Sequence, residues 1–290
     1  MKKIILLLPV YNDWESLNKV LFEISAHVHN IKNFEFGCII VNDSSTIERP
    51  KIIKPKIFKN LKIINMKENK GHARCNAFGL RYINLNESYD YIIVMDSDGE
   101  DRPIEIKSLI NKIDEEPEIS VVAKRVKRSE GPIFQTLYRI HKLISFVFTG
   151  KKSNFGNYSC LTKKDVQILS EKASLWSSFS GTVKKHLTFL NEVESIRGLR
   201  YFGPSKMSLF NLLIHSFSII AVFKYMVVLR SSFIIIILSL LIKYIGITAI
   251  FLQILIIFFN LLIFIISFRE NANALFKSNE NILSEDEITH

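Results

Sequence analysis

The sequence predicts an α/β domain with a doubly wound, mostly parallel sheet, followed by amphipathic interface helices and a two-helix transmembrane hairpin. Over the first 125 residues, short apolar runs alternate with segments of helical periodicity, an order typical of parallel sheets that are covered by helices on both faces. From Ser231 to Phe268, the only charged side chain is Lys243. Such a segment is too long and too apolar for the interior of a water-soluble domain.

The elements of the predicted domain follow from these patterns in order. Five apolar runs of strand length are Ile4–Leu8, Cys38–Val41, Leu61–Asn65, Tyr91–Met95 and Ile119–Ala123. Helical spacing of apolar residues marks Trp14–Asn30, Gly71–Leu85 and the segment that begins at Pro103. We expect Asp13 to cap the first helix and Pro103 to occupy a first helical turn.

Composition narrows the classes of protein. The 290 residues are 48% hydrophobic and 23% charged, which excludes a disordered chain. The net charge of +10 beside a membrane segment fits an anionic lipid surface and phosphorylated substrates. Nucleic acid is not expected as a partner, because no helix-turn-helix, zinc finger or RNA-binding motif accompanies the charge. Three scattered cysteines predict neither a disulfide framework nor a zinc site.

Carboxylates follow three of the predicted strands, in Pro9–Asp13, Asn42–Ser45 and Asp96–Asp101. The carboxyl ends of parallel strands meet at one edge of a sheet, where such folds bind ligands. Like charges brought together there repel unless a cation lies among them. We therefore expect a hard divalent metal with oxygen ligands. Neither GxGxxG nor GxxxxGK[ST] occurs, so dinucleotide-binding dehydrogenases and P-loop enzymes are disfavoured.

These strand ends resemble the motifs of glycosyltransferase family 2. Pro9–Asp13 is similar to the family's P-x-Y-N-E, and Val41–Ser45 is similar to its V-D-D-G-S. Asn69–Gly71, with Ala77 and Gly79, resembles an N-x-G helix start. Asp96–Asp98 matches D-x-D, and Asp101–Pro103 is similar to D-P-P. The resemblance implies a GT-A-like form of the sheet.

The second half resembles the polyprenyl-phosphate glycosyltransferase branch, which includes dolichyl-phosphate mannosyltransferases and bactoprenol glucosyltransferases. Arg200–Ser208 is similar to that branch's R-x-x-G-x-S-K-x-S, which precedes amphipathic helices and a membrane hairpin. Three departures keep an oxygen ligand or acceptor: Asp13 replaces Glu, Asn42 replaces Asp, and Glu100 replaces Gln. Residues 154–161 lack the branch's acidic residue and F-R-L-like run.

The resemblance implies metal-dependent, inverting transfer of a hexose from a nucleotide-diphosphate sugar to a polyprenyl phosphate. Mg²⁺ or Mn²⁺ would be held by Asp96, Asp98 and Glu100. The donor would contact Pro9, Tyr11, Asp13, Asp43 and Asp96. Because a lipid phosphate is already anionic, the reaction needs cations rather than a base; the candidates are Arg125, Arg128, Arg139, Arg200 and Lys206. Asp96, Asp98, Arg200 and Lys206 form the predicted catalytic set.

Two other functions stay open at this point. A glycosyltransferase could use a hydroxyl acceptor on a lipid-linked glycan or a glycolipid, and would then need a carboxylate base outside the D-x-D. A catalytically silent homologue could act as a membrane scaffold, although the intact Asp96, Asp98, Arg200 and Lys206 argue against it. A homo-oligomer is compatible with the sequence.

The predicted organisation has four parts. They are a cytoplasmic glycosyltransferase domain (1–206), amphipathic interface helices (207–230), a transmembrane hairpin (231–268, its first span beginning near Met226) and an acidic cytoplasmic tail (269–290). Basic residues precede the first span, and Arg269 follows the second. The positive-inside rule then predicts a two-span membrane protein with both termini in the cytoplasm.

Overall fold

The computed structural model describes residues 1–127, 132–152, 154–204 and 208–289. The described residues form one eight-stranded sheet in the order β7-β5-β6-β4-β1-β2-β3-β8. The strands are β1 (Lys2–Val10), β2 (Phe34–Asn42), β3 (Phe58–Met66), β4 (Tyr91–Val94), β5 (Val121–Lys127), β6 (Phe155–Thr162), β7 (Asn191–Ile196) and β8 (Ile282–Glu287).

Helices cover both faces of this sheet and continue into the C-terminal region. They are α1 (Trp14–Val28), α2 (His72–Asn86), α3 (Ile106–Glu115), α4 (Pro132–Thr149), α5 (Lys163–Ser170), α6 (Phe179–His186), α7 (Leu209–Ala221), α8 (Lys224–Leu240), α9 (Ile242–Ile245), α10 (Ile247–Ser267) and α11 (Ala272–Phe276). A 3₁₀ turn at Pro103–Glu105 leads into α3.

The five strands expected from the sequence are β1 to β5. β1 pairs in parallel with β2 and β4, and β2 pairs in parallel with β3. The sheet is mixed: β7 pairs in parallel with β5, whereas β6 is antiparallel to both β4 and β5, and β8 is antiparallel to β3. The strands β7 and β8 contain several charged residues and so lack the apolar runs that mark β1 to β5.

Strand β1 lies at the centre of the parallel strands and is buried on both faces. Ile4, Leu6 and Leu8 pack in the cluster that contains side chains of α1 and α3. Ile5 and Leu7 belong to the cluster that contains side chains of α2, α5 and α6. Successive side chains of a strand point to opposite faces, so a strand covered by helices on both sides is an unbroken apolar run.

The segment predicted as an acidic tail is part of the sheet. Residues Ile282–Glu287 pair antiparallel with β3, from Lys62 opposite Glu287 to Met66 opposite Ile282. Acidic side chains of β8 pair with basic ones of the domain, such as Asp286 with Arg49 at 2.6 Å. The free edge of β3 offers backbone groups that another strand can pair with, and composition alone does not reveal that partner.

Among the residues that the structure describes, one helical segment, Ile247–Phe276, is long and apolar enough to cross a membrane, and its most apolar 18-residue window has a mean hydropathy of 2.9. Helices α7 and α8 satisfy the same test only as a pair, and they are bent by 83°. Both pack against α10, and α4 packs against α8. Most of the apolar surface of α10 faces outward, since only 11% of its most apolar window is buried.

Gly79 on α2 lies against Leu7, where a Cβ atom would come within 2.3 Å of the leucine Cδ1. We expect Gly79→Val to lower the free energy of unfolding by about 1–3 kcal/mol through overpacking. Gly37→Ala is the matched control, because its Cβ would make ordinary contacts, the nearest at 3.7 Å. Thermal unfolding in detergent measures both variants. Equal melting temperatures for the two would contradict this account of the α2–β1 contact.

Candidate active site

The ends of β1, β2 and β4 meet at one edge of the sheet. The Asp43 N–H donates to the Val10 carbonyl at 2.9 Å. The Ser97 hydroxyl donates to the Pro9 carbonyl at 2.5 Å. The first bond joins the end of β1 to the loop after β2, and the second joins the end of β1 to the loop after β4. The three motif segments therefore lie side by side.

Asn12 joins the loop after β1 to the loop after β2. Its backbone N–H donates to Ser45 Oγ at 2.9 Å, and its side-chain oxygen accepts from the N–H groups of Thr46 and Ile47. Its φ of +52° lies in the left-handed region, which asparagine tolerates better than most residues. The neighbouring Tyr11 is exposed. This arrangement leaves the ring of Tyr11 accessible at the rim of the site.

Asp43 is buried and anchors the start of α2. Its two carboxylate oxygens accept the N–H groups of Lys70 and Gly71, each at 2.8 Å. Gly71 has a φ of +89°, a conformation that favours glycine. Asp43 therefore fixes the loop before α2. The predicted contact of Asp43 with the donor stays a prediction.

Asp96 at the end of β4 contacts His72 at the start of α2. His72 Nε2 lies 3.1 Å from Asp96 Oδ1, and Asn157 Nδ2 on β6 lies 2.7 Å from the same ring nitrogen. Burial by itself would raise the pKa of Asp96, but His72, followed by Arg125 and Arg197, holds it below its usual value. Burial opposes a charged His72, yet Asp96 leaves the pKa of the imidazole raised. The two pKa shifts are in the directions expected when an acid and a base stabilise each other's charged forms.

Arg200 bridges the D-x-D to the loop after β1. Its Nη1 donates to Asp98 Oδ2 at 2.6 Å, and its Nη2 donates to the carboxylate of Asp13. All three side chains are less than one-fifth exposed. Asp13 is the N-cap residue of α1, as predicted, but its side chain makes no cap hydrogen bond, because its carboxylate is engaged with Arg200. The structure thus brings together three predicted site residues that are distant in sequence.

Glu100 pairs with Arg197, a residue that the sequence analysis did not single out. Burial raises the pKa of Glu100 to about 7 despite this partner. Burial and the neighbouring Asp96 also raise the pKa of Asp98. The only sequence signal for Arg197 is its position three residues before the motif arginine.

The segment that carries these arginines lies over the D-x-D loop. The Tyr201 N–H donates to the Asp98 carbonyl at 3.0 Å, and the Gly198 N–H donates to the Glu100 carbonyl at 2.8 Å. A Cβ at Gly99, whose φ is +90°, would lie 2.7 Å from Tyr201 Cζ. Glycine is therefore required at this position for both its backbone conformation and its contact with the ring.

The predicted metal ligands do not form a ready-made group. Among the residues that the structure describes, no set of three or more His, Cys, Asp or Glu side chains could hold a metal ion. Instead Asp96, Asp98 and Glu100 each contact a different basic side chain. The raised pKa values of Asp98 and Glu100 show that these cations do not fully offset burial and neighbouring carboxylates. Oxygen donors under such charge crowding fit a hard divalent cation.

Besides Arg200, a second predicted acceptor cation, Arg125, lies next to this carboxylate cluster. It lies 3.6 Å from Asp101, and its guanidinium passes over Gly156, where a Cβ would come within 2.7 Å. Lys184 on α6 is a nearby buried cation that the sequence analysis missed. Burial, followed by Arg125, lowers its pKa to about 7. Only the Lys-Lys pair at 184–185 signals it in the sequence.

Of the three remaining predicted acceptor cations, the structure describes one. Arg139 is exposed on α4. Arg128 and Lys206 lie outside the described residues. Their predicted roles therefore stay predictions.

A mixed α/β sheet with an Asp-x-Asp at the end of β4 defines a glycosyltransferase of the GT-A type. The chain belongs to glycosyltransferase family 2, because the family model described as Glycosyl transferase family 2 matches residues 5–175. The resemblance drawn from the sequence motifs is thereby confirmed.

Curated relatives include polyprenyl-phosphate sugar transferases. The chain is 24% identical over 221 residues to the undecaprenyl-phosphate 4-deoxy-4-formamido-L-arabinose transferase of Serratia proteamaculans, which covers 73% of this chain and 65% of the relative. The protein of the same name from Salmonella dublin is 26% identical over 163 residues, covering 56% of this chain and 48% of the relative. The chain thus spans less than two thirds of the length of these relatives.

A solved structure shows the same fold. Glucosyl-3-phosphoglycerate synthase from Mycobacterium tuberculosis, crystallised with Mn²⁺, UDP-glucose and phosphoglyceric acid, aligns with a TM-score of 0.51 and 16% identity. The alignment covers 78% of this chain and 80% of that one. The GT-A-like architecture predicted from the sequence is therefore confirmed.

Asp101 supports a pH-dependent prediction about stability. It is 3% exposed, and burial, followed by Asp96, raises its pKa to about 7. The folded protein therefore keeps a proton on Asp101 at pH values where the unfolded chain has already released it. The stabilisation that this proton gives is lost as pH rises through about 7. We expect the melting temperature of the parent, relative to Asp101→Asn, to fall between pH 5 and pH 8.

The control for this experiment is Asp114→Asn, because Asp114 is an exposed partner of Lys2. Melting temperatures of the parent and both variants are measured at each pH. A parent–variant difference that stays constant with pH for Asp101→Asn would show that this carboxyl does not titrate in that range.

Proposed function

We propose that this protein transfers a hexose, with inversion, from a nucleotide-diphosphate sugar to a polyprenyl phosphate at the cytoplasmic membrane face. The observation that carries the proposal is the bridge from Arg200 to Asp98 and Asp13. It places the segment that leads into the C-terminal apolar helices directly on the edge of the sheet where the D-x-D lies. The names of the relatives, which are undecaprenyl-phosphate sugar transferases, support the same acceptor.

On the donor side, Asp96, Asp98 and Glu100 would supply oxygen ligands to Mg²⁺ or Mn²⁺. The bound metal would neutralise charge that develops on the leaving diphosphate. Arg197 and Arg200 lie within the same cluster and are positioned to donate charge-assisted hydrogen bonds to phosphate oxygens. Tyr11, Asp13 and the Pro9 segment would line the nucleoside pocket.

On the acceptor side, the chemistry calls for cations rather than a base. A lipid phosphate is anionic and nucleophilic at neutral pH, so its approach to a second anion depends on positive charge. Arg125 lies beside Asp101 of the carboxylate cluster, and the buried Lys184 lies near Arg125. Arg125, together with Lys184 in its protonated form, would supply this charge. Arg128, Arg139 and Lys206 would add charge where the domain meets the membrane.

We further propose that α8 and α10 form a transmembrane hairpin with both termini in the cytoplasm. Helix α10 has 21 residues, or about 32 Å at 1.5 Å per residue, which matches a hydrocarbon core of about 30 Å. Gly246, with a φ of +54°, separates it from the helices before it. Exposed apolar residues such as Leu143 on α4 and Phe210 on α7 would lie against the membrane surface.

The reaction is tested with purified protein in micelles, undecaprenyl phosphate, Mn²⁺ and a panel of radiolabelled uridine and guanosine diphosphate hexoses. We expect a lipid product whose sugar is released by mild acid, as for a sugar linked through a monophosphate. Transfer only to a lipid that presents a hydroxyl would replace the phosphate acceptor in the proposal. A chain without turnover for any donor would instead act as a scaffold.

Asp98→Ala is expected to lower turnover about 10²–10³-fold, because it removes an oxygen ligand from the site of developing charge. Steady-state rates with Mn²⁺ measure the effect. Asp114→Ala is the control, since it removes an exposed carboxylate of α3 that pairs with Lys2. Activity of Asp98→Ala within threefold of the parent would exclude the proposed metal role.

Arg125→Gln is expected to raise the KM for lipid phosphate about 10–100-fold, since a charge-assisted hydrogen bond contributes about 1.5–3 kcal/mol. Donor hydrolysis without lipid should stay near the parent rate. The matched variant is Arg139→Gln, whose parent side chain is exposed on α4. The effect of Arg139→Gln on the lipid KM should fade at high salt, as expected for attraction to lipid headgroups. Equal, salt-sensitive effects for both variants would place the acceptor phosphate elsewhere.

A further inference from the structure

We infer that β8, the strand that follows the membrane segment, positions the donor-binding loops through Asp286. This inference rests on the proposed function, because it concerns the same nucleotide pocket. A continuous series of hydrogen bonds runs from Asp286 to the loop after β2 and on to the loop after β1. The two members of this series in β8, Ser284 and Asp286, lie outside the sequence motifs of the N-terminal domain.

The series begins on one face of β8. Asn65 at the end of β3 donates from Nδ2 to Ser284 Oγ at 2.9 Å and to Asp286 Oδ2 at 3.0 Å. Asp286 is itself held by Arg49, whose Nη1 lies 2.6 Å from the same carboxylate oxygen. With two acceptors on its amide nitrogen, Asn65 must direct its oxygen towards β2.

The second step reaches the loop after β2. Asn42 donates from Nδ2 to Asn65 Oδ1 at 2.9 Å, and its own Oδ1 accepts the Ser45 N–H at 3.0 Å. This bond closes the turn that contains Ser44, whose φ of +58° lies in the left-handed region. A serine in that conformation is strained, so the turn depends on such surrounding bonds.

Asn42 also explains a departure from the family pattern, which has an aspartate at this position. An amide can donate to Asn65 and accept from Ser45 at the same time. An aspartate has no hydrogen to donate, so Asn65 would have to turn its amide nitrogen towards β2 and its oxygen towards Asp286. Two oxygens would then face each other at β8. The asparagine at 42 is therefore matched to the aspartate at 286.

The third step reaches the loop after β1. Ser45 Oγ accepts the backbone N–H of Asn12 at 2.9 Å, and Asn12 lies between Tyr11 and Asp13 in the chain. The loop after β2 also contains Asp43. Three residues predicted to contact the donor, Tyr11, Asp13 and Asp43, are thus each adjacent in the chain to a member of the series.

The test measures binding of UDP and GDP with Mn²⁺ to the full-length protein in micelles, together with donor and lipid KM values. Asp286→Ala and Asn42→Asp should each weaken nucleotide binding about 10-fold by breaking charged or directional hydrogen bonds. Turnover at saturating donor and the lipid KM should change less than about twofold. The double variant Asn42→Asp with Asp286→Asn reverses the direction of the series and should recover most of the lost affinity.

Glu285→Ala is the matched control on the same strand. Glu285 points to the opposite face, where it accepts from the Tyr82 hydroxyl at 2.6 Å and lies 3.7 Å from Lys62. It should lower the melting temperature without weakening nucleotide binding. Equal loss of nucleotide affinity in Glu285→Ala and Asp286→Ala would reduce β8 to an edge strand and overturn the inference.

Two further outcomes show whether this inference and the proposed function stand or fall together. Nucleotide binding that responds to Asp286→Ala, in a protein that transfers no sugar to lipid phosphate, would overturn the acceptor and leave the inference standing. A parent that binds neither nucleotide overturns both. If Asp286→Ala does not fold, nucleotide binding by Asn42→Asp and by the double variant tests the inference instead. A double variant that does not recover nucleotide affinity would count against the inference.

Discussion

The bridge from Arg200 to Asp98 and Asp13 is the contact on which the arrangement of this site depends. One guanidinium joins the loop after β1, the D-x-D after β4 and the segment that leads to the apolar helices. Planar, bidentate donors make arginine suited to holding two carboxylates at once. One residue therefore links both carboxylate loops to the segment that precedes the apolar helices.

Charge in the site is balanced by basic side chains from outside the strand ends. His72 offsets Asp96, Arg197 offsets Glu100, and Arg125 lies near Asp101. Burial nevertheless keeps the pKa values of Glu100 and Asp101 near 7. The basic side chains therefore do not fully offset the burial of these carboxyl groups, and this is the physical reason for proposing a divalent metal there.

The C-terminal region contacts the N-terminal domain at several places. Arg200 and its segment cover the D-x-D, and β8 completes the sheet beside β3. Between them, α8 and α10 pack against α4 and α7. The apolar helices are thus connected to the sheet at both their entry and their exit, so displacement of these helices would act on both sides of the candidate site.

The sequence by itself determined the central strands, the helices around them and the convergence of three carboxylate loops. Apolar runs and helical periodicity are local patterns, and a parallel sheet necessarily places its strand ends together. It did not reveal β8, Arg197, Lys184 or the partners of Asp13. These depend on pairing across a sheet edge and on burial of charged groups between distant segments. Only the tertiary structure decides such contacts, because polar side chains carry no local signal of the partner that compensates for their desolvation.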